Sequence, residues 1–89
     1  MQRFVDNDLG YQRWLEMHPD LYVLNAERTP RPSYLMLHRA TCSTISGTPA
    51  RGAQWTADYI KVCGPRADLE AFARHDVGGT ARACGLCFP

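Results

Sequence analysis

Cys84-Gly85-Leu86-Cys87 limits what this chain can fold into more than any other feature. Two thiols separated by two residues, one of them glycine, form a zinc knuckle, in which a tight turn aims both sulfurs at one point. That is half of a tetrahedral site. His38-Arg39-Ala40-Thr41-Cys42 offers the other half, a nitrogen and a sulfur within one short segment. A site built from His38, Cys42, Cys84 and Cys87 ties two distant stretches together, so the residues between them must fold as one unit. Cys63 competes with His38, because Cys42, Cys63, Cys84 and Cys87 would make an all-cysteine site. The mixed set carries one excess negative charge where four thiolates carry two, and it sits more easily beside a small core. His38 is therefore preferred, with Cys63 kept as the alternative. One zinc per chain is the expected cofactor, since a histidine among the ligands favours zinc over iron.

Size makes such a staple useful. A chain of 89 residues has room for one core, so residues 1–89 read as a single domain. Cores of this size are marginal, and a structural zinc contributes on the order of 10 kcal/mol to folding. The 45% hydrophobic and 21% charged content excludes a disordered chain, and no apolar run approaches the ~18 residues of a membrane span. Met1-Gln2-Arg3-Phe4 runs straight into Asp6 and Asp8 and lacks the basic-then-apolar pattern of a secretory leader, so a cytoplasmic location is expected. Thiols stay reduced there, and clustered cysteines read as metal ligands rather than disulfides.

Periodicity supplies the elements. Tyr11, Trp14, Leu15 and His18 fall on one face of a helix over residues 6–18, with Asp6 or Asp8 as N-cap and Pro19 as the stop. Leu21-Tyr22-Val23-Leu24 and Tyr34-Leu35-Met36-Leu37 flank Thr29-Pro30-Arg31-Pro32-Ser33 and predict an antiparallel hairpin. Residues 43–56 form the longest loop. Tyr59-Ile60-Lys61-Val62-Cys63 predicts a third strand, with Ile60 and Val62 on one face and Tyr59, Lys61 and Cys63 on the other. After Gly64-Pro65 a second helix presents Leu69, Phe72, Ala73 and Val77, and Gly78-Gly79 ends it. The expected fold is a small α+β domain: helix, β-hairpin, strand, helix and C-terminal zinc knuckle, treble-clef-like.

Net charge is +1, which by itself points to neither nucleic acid nor an acidic substrate. Arrangement says more. Nine of the ten basic residues are arginines, whose planar forks suit phosphate. A metal site that gathers 38–42 and 84–87 would place Arg39, Arg51, Lys61 and Arg82 on one basic face, with Trp55 or Tyr59 free to stack on a base. A non-enzymatic module that binds nucleic acid is the function this predicts. The rival is a protein-interaction module that meets its partner through Trp55 and the 43–56 loop. No small-molecule substrate or membrane contact is expected.

The pair of segments His38-Arg39-Ala40-Thr41-Cys42 and Ala83-Cys84-Gly85-Leu86-Cys87 resembles the zinc modules of the adaptive-response DNA alkylation-repair proteins and related modules appended to some bacterial nucleases. The resemblance covers the C-terminal half only; the spacer is longer here and Cys63 is extra. It implies a DNA-associated, zinc-stabilised fold. The Tyr22-Val23-Leu24-Asn25, Leu37-His38-Arg39 and Tyr59-Ile60-Lys61-Val62-Cys63 stretches also resemble small actinobacterial proteins, and that resemblance brings no activity with it.

Enzymatic readings fit less well. A redox Cys-x-x-Cys works at a helix N-terminus after a strand, and no helical pattern follows Cys84. A metal-dependent hydrolase or nuclease could draw on Asp58 and Lys61 near His38, but it lacks a carboxylate cluster for a hard cation.

Overall fold

The computed structural model describes residues 1–46 and 54–88. One mixed sheet is built from β1 (Gln2–Phe4), β2 (Tyr22–Glu27), β3 (Leu35–Arg39), β4 (Tyr59–Gly64) and β5 (Arg82–Ala83), in the order β1-β4-β2-β3-β5. The first four strands pair antiparallel, and β5 runs parallel to β3 at the sheet edge. Helix α1 spans Asp8–Met17. Helix α2 spans Arg66–Ala71 and widens into π-type turns over Phe72–Val77.

Each face of the sheet carries a packed layer. Leu24, Ala26, Leu35, Leu37, Ile60 and Val62 pack beneath Leu69, Phe72 and Ala73 of the α2 segment. On the opposite face Val23 and Cys63 join Phe4, Tyr11, Trp14, Ala40, Cys42 and Ile45 under α1 and the segment after β3. A sheet packed on two sides accounts for the successive buried residues Val23 and Leu24 of β2 and Ile60 to Cys63 of β4. The core is thus two thin layers separated by the sheet.

The expected helices and hairpin are present, with local differences. The α1 cap is Asn7, whose side chain accepts from the Gly10 N–H at 3.0 Å, rather than Asp6 or Asp8. Asp6 instead forms a bidentate pair with Arg28. The Asp8 carboxylate turns outward from the helix and accepts from the Trp55 N–H (2.8 Å), the Thr56 N–H (2.9 Å) and the Thr56 hydroxyl (2.6 Å). It fixes residues 55–56 against α1. Gly78 ends the helical segment at φ 81°, a left-handed conformation that glycine adopts without Cβ strain. Strands β1 and β5 were not expected, being three and two residues long.

Candidate metal centre

The β2–β3 hairpin sets the register that builds the site. His38 pairs with Val23 near the end of β3, on the α1 side of the sheet. The backbone then turns: the Cys42 N–H donates to the Arg39 carbonyl at 2.9 Å, and Cys42 comes under His38, both nearly inaccessible to solvent. From the other end of the chain β5 runs alongside β3, and the Cys84 N–H donates to the Leu37 carbonyl at 2.9 Å. The knuckle turn comes next and closes with the Phe88 N–H on the Cys84 carbonyl at 3.0 Å.

His38, Cys42, Cys84 and Cys87 therefore lie together, with their ligand atoms all within 4.8 Å of one another. In a tetrahedral zinc site with Zn–S of about 2.3 Å, sulfurs stand about 3.8 Å apart, so a contraction of about 1 Å or less would seat an ion. The donor set fits a borderline-soft cation. Burial, with Lys61 adding to it, holds His38 down to about 4, so the imidazole is neutral and has a lone pair to give. N–H groups of Cys87 and Leu86 lower Cys84, whereas burial raises Cys87 to about 11. A divalent cation among them would hold all three sulfurs as thiolates.

Neighbouring groups hold the ligands in place. The Arg39 N–H donates to Cys87 Sγ at 3.4 Å, and the Arg39 Nε donates to the Cys87 carbonyl at 3.0 Å. The same guanidinium lies 4.7 Å over the Phe88 ring, which stacks on Tyr22 with 6.1 Å between centroids. Thr44 Oγ1 stands 3.0 Å from Cys42 Sγ and 3.4 Å from His38 Nδ1. The Ser46 hydroxyl donates to the Cys42 carbonyl at 2.9 Å.

Cys63 is not part of the cluster. It pairs with Val23 from β4, while His38 pairs with the same residue from β3. Two strand spacings, about 9.5 Å, separate them. Cys63 is fully buried, and desolvation raises its thiol to about 12.

The residues expected on one basic face are dispersed. Lys61 is only 3% exposed: its Nζ donates to the Trp55 carbonyl at 2.6 Å and lies 5.9 Å from the Tyr11 ring centre. Period-two alternation puts Lys61 on the correct side of the strand, but that side is covered by α1 and residues 54–56. Trp55 is half-buried and packs edge-on to Tyr11 at 6.5 Å, so the predicted free stacking ring is turned inward. Arg39 is exposed on the α2 side, and its donors serve Cys87 and the Tyr22 hydroxyl. Arg82 pairs with Met36, one residue out of phase with Arg39, and stands exposed on the α1 side. Arg51 lies outside the described residues, as do residues 47–53 of the 43–56 loop. Asp58 lies before β4, its carbonyl accepting from the Arg28 N–H at 3.0 Å, and does not join His38.

Sequence reasoning missed Thr44 and Asp8. A hydroxyl two residues after a candidate ligand was the available signal for Thr44. Local signal offered Asp8 only as a helix cap, because the partners it actually holds are 47 and 48 residues away. No family model, curated protein or solved structure matches this chain.

Proposed function

We propose that this chain is a zinc-stabilised, non-enzymatic module that binds nucleic acid, DNA foremost. The observation that carries the reading is the convergence of one imidazole and three sulfurs within 4.8 Å. Four protein ligands complete a tetrahedral shell and leave no position for a reacting water, which favours a structural zinc over a catalytic one. The ligand pairs, one at a strand end and one in a knuckle, divide as in a treble-clef-like module. The reading also places the protein in the cytoplasm, where its thiols stay reduced.

Support for nucleic acid comes from the open part of the α1 side of the sheet. Tyr59 is 46% exposed and meets Tyr34 edge-on with 5.6 Å between ring centres. Arg82, Met36 and Asn25 occupy one row across β5, β3 and β2 on that side. Among the described residues no carboxylate pairs with Arg82. Tyr34 and Tyr59 at one end of this side and Arg82 at the sheet edge, three strand spacings (about 14 Å) from Tyr59, suit an extended single strand, with bases stacking on tyrosine and phosphate meeting guanidinium.

Metal analysis of untagged protein, followed by fluorescence anisotropy with labelled single-stranded and duplex DNA at two salt concentrations, tests the proposal. One zinc per chain is expected, with single-strand binding that weakens as salt rises and on Tyr59→Ala or Arg82→Ala. Metal-replete protein that binds no nucleic acid at low salt would remove the reading.

A further inference from the structure

The hydroxyl of Thr44 sits between two ligands supplied by the first half of the site, 3.0 Å from Cys42 Sγ and 3.4 Å from His38 Nδ1. Its bonding can be deduced by counting protons. A metal-bound thiolate has none to give and only accepts, so the single hydroxyl proton of Thr44 must point to Cys42 Sγ. The oxygen then offers a lone pair toward His38, and only a protonated Nδ1 can use it. A neutral imidazole carries one ring proton, so Nε2 is left with the free lone pair. His38 is buried against Val23 and Cys42, where the neutral form belongs.

We infer that Thr44 is a positioning residue of the metal centre: it fixes the His38 tautomer so that Nε2 meets the ion, and it aims Cys42 Sγ at the same point. The inference rests on the zinc reading above and adds which nitrogen binds and what selects it. Outer-shell partners of this kind commonly change metal affinity 10- to 100-fold when removed. Threonine suits the task because its β-branch restricts χ1 while the chain turns under β3. Serine preserves the hydroxyl, and valine preserves the shape without it.

Zinc affinity measured by competition with a chromophoric chelator, for wild type, Thr44→Val and Thr44→Ser, tests the inference. Thr44→Val should bind zinc 10- to 100-fold more weakly, with Thr44→Ser within about threefold of wild type. A long-range 1H–15N correlation spectrum of zinc-loaded wild type gives a readout independent of any variant's folding. It should show His38 protonated at Nδ1 and metal-bound at Nε2. A zinc-bound Nδ1, or equal affinity in Thr44→Val, would overturn the inference while leaving the zinc module intact. Wild-type protein that takes up no zinc would instead overturn the function proposed above and this inference with it.

Discussion

Removing the metal at neutral pH should lower the melting temperature by about 15–30 °C. The magnitude comes from chain topology. Cys42 and Cys84 bracket a loop of about 40 residues, and a cross-link across such a loop removes about 4 kcal/mol of unfolded-state entropy on the disulfide analogy. Each kcal/mol shifts Tm by about 4–8 °C in a domain of this size. This is a lower bound, because ligand bonding adds to the closure entropy, and the full contribution of a structural zinc is on the order of 10 kcal/mol. Against it stands a total stability of roughly 4–13 kcal/mol for a chain of this length. The assay is thermal unfolding followed by circular dichroism, with zinc-loaded protein compared with the same sample after a strong chelator. Cys87→Ser should behave like the chelated protein. A shift below about 5 °C in protein shown to hold stoichiometric zinc would refute the reasoning, because the loop would then already be closed without the ion.

Cys63→Ala should keep the metal stoichiometry and cost about 1 kcal/mol, as a small buried residue lost from the layer with Val23 and Tyr11; metal loss in this variant would reverse the ligand assignment. Asp8→Ala should cost about 2–4 kcal/mol in denaturant unfolding, since it strands the donors of Trp55 and Thr56; a cost below about 1 kcal/mol would show that water replaces the carboxylate. Burial holds the Lys61 ammonium down to about 8, against an ordinary value near 10.5. Between those pH values the unfolded chain keeps a proton the folded chain has released, so this group makes stability rise with pH. Wild type should therefore gain on Lys61→Met from pH 8 to 10.5, by about 3 kcal/mol at most; a pH-independent difference between the two would contradict the burial of the ammonium.

Elements whose signal is local were legible in the sequence. Tyr11 and Trp14 gave the inward face of α1, Leu69, Phe72 and Ala73 that of α2, and the glycine pair at 78–79 its end. Spacing also picked out His38, Cys42, Cys84 and Cys87, the four residues that lie together and could hold a metal ion, because tetrahedral coordination restricts which side chains can cooperate. What failed was the inference from alternation to exposure. Lys61 lies opposite Ile60 and Val62, as period two requires, and a charged residue on that side reads as solvent-facing. The outer side is nevertheless roofed by α1, and Asp8 brings residues 55–56 across to complete the cover. Only long-range contacts create that roof, so the lysine's ammonium ends between the Tyr11 and Trp55 rings with a backbone carbonyl as acceptor. Strands β1 and β5 escaped for a related reason. Two or three residues carry no periodicity, and both exist because an established neighbour offers an edge to pair with.

The position of β5 would give a metal bound at this cluster a second role. Strand β3 is five residues long, and beyond it the sheet has only Arg82 and Ala83 as cover. Two residues hold an edge weakly. Their attachment continues into the knuckle, where Cys84 N–H meets the Leu37 carbonyl and an ion on Cys84 and Cys87 would anchor the turn. Without the ion, the tail keeps the Arg39–Cys87 hydrogen bonds and the Tyr22–Phe88 stack, all at the exposed end of the site. Fraying of this tail would bare the N–H and C=O groups of β3 between buried Leu35, Leu37 and His38, an apolar edge of the kind that pairs with a second chain. Chelated protein held below its melting transition should therefore self-associate with concentration, measured by light scattering on a sizing column, and readdition of zinc should return it to the monomer. Apo protein that stays monomeric while its tail amides exchange rapidly with solvent would show that β3 needs no cover, and that the ion serves stability alone.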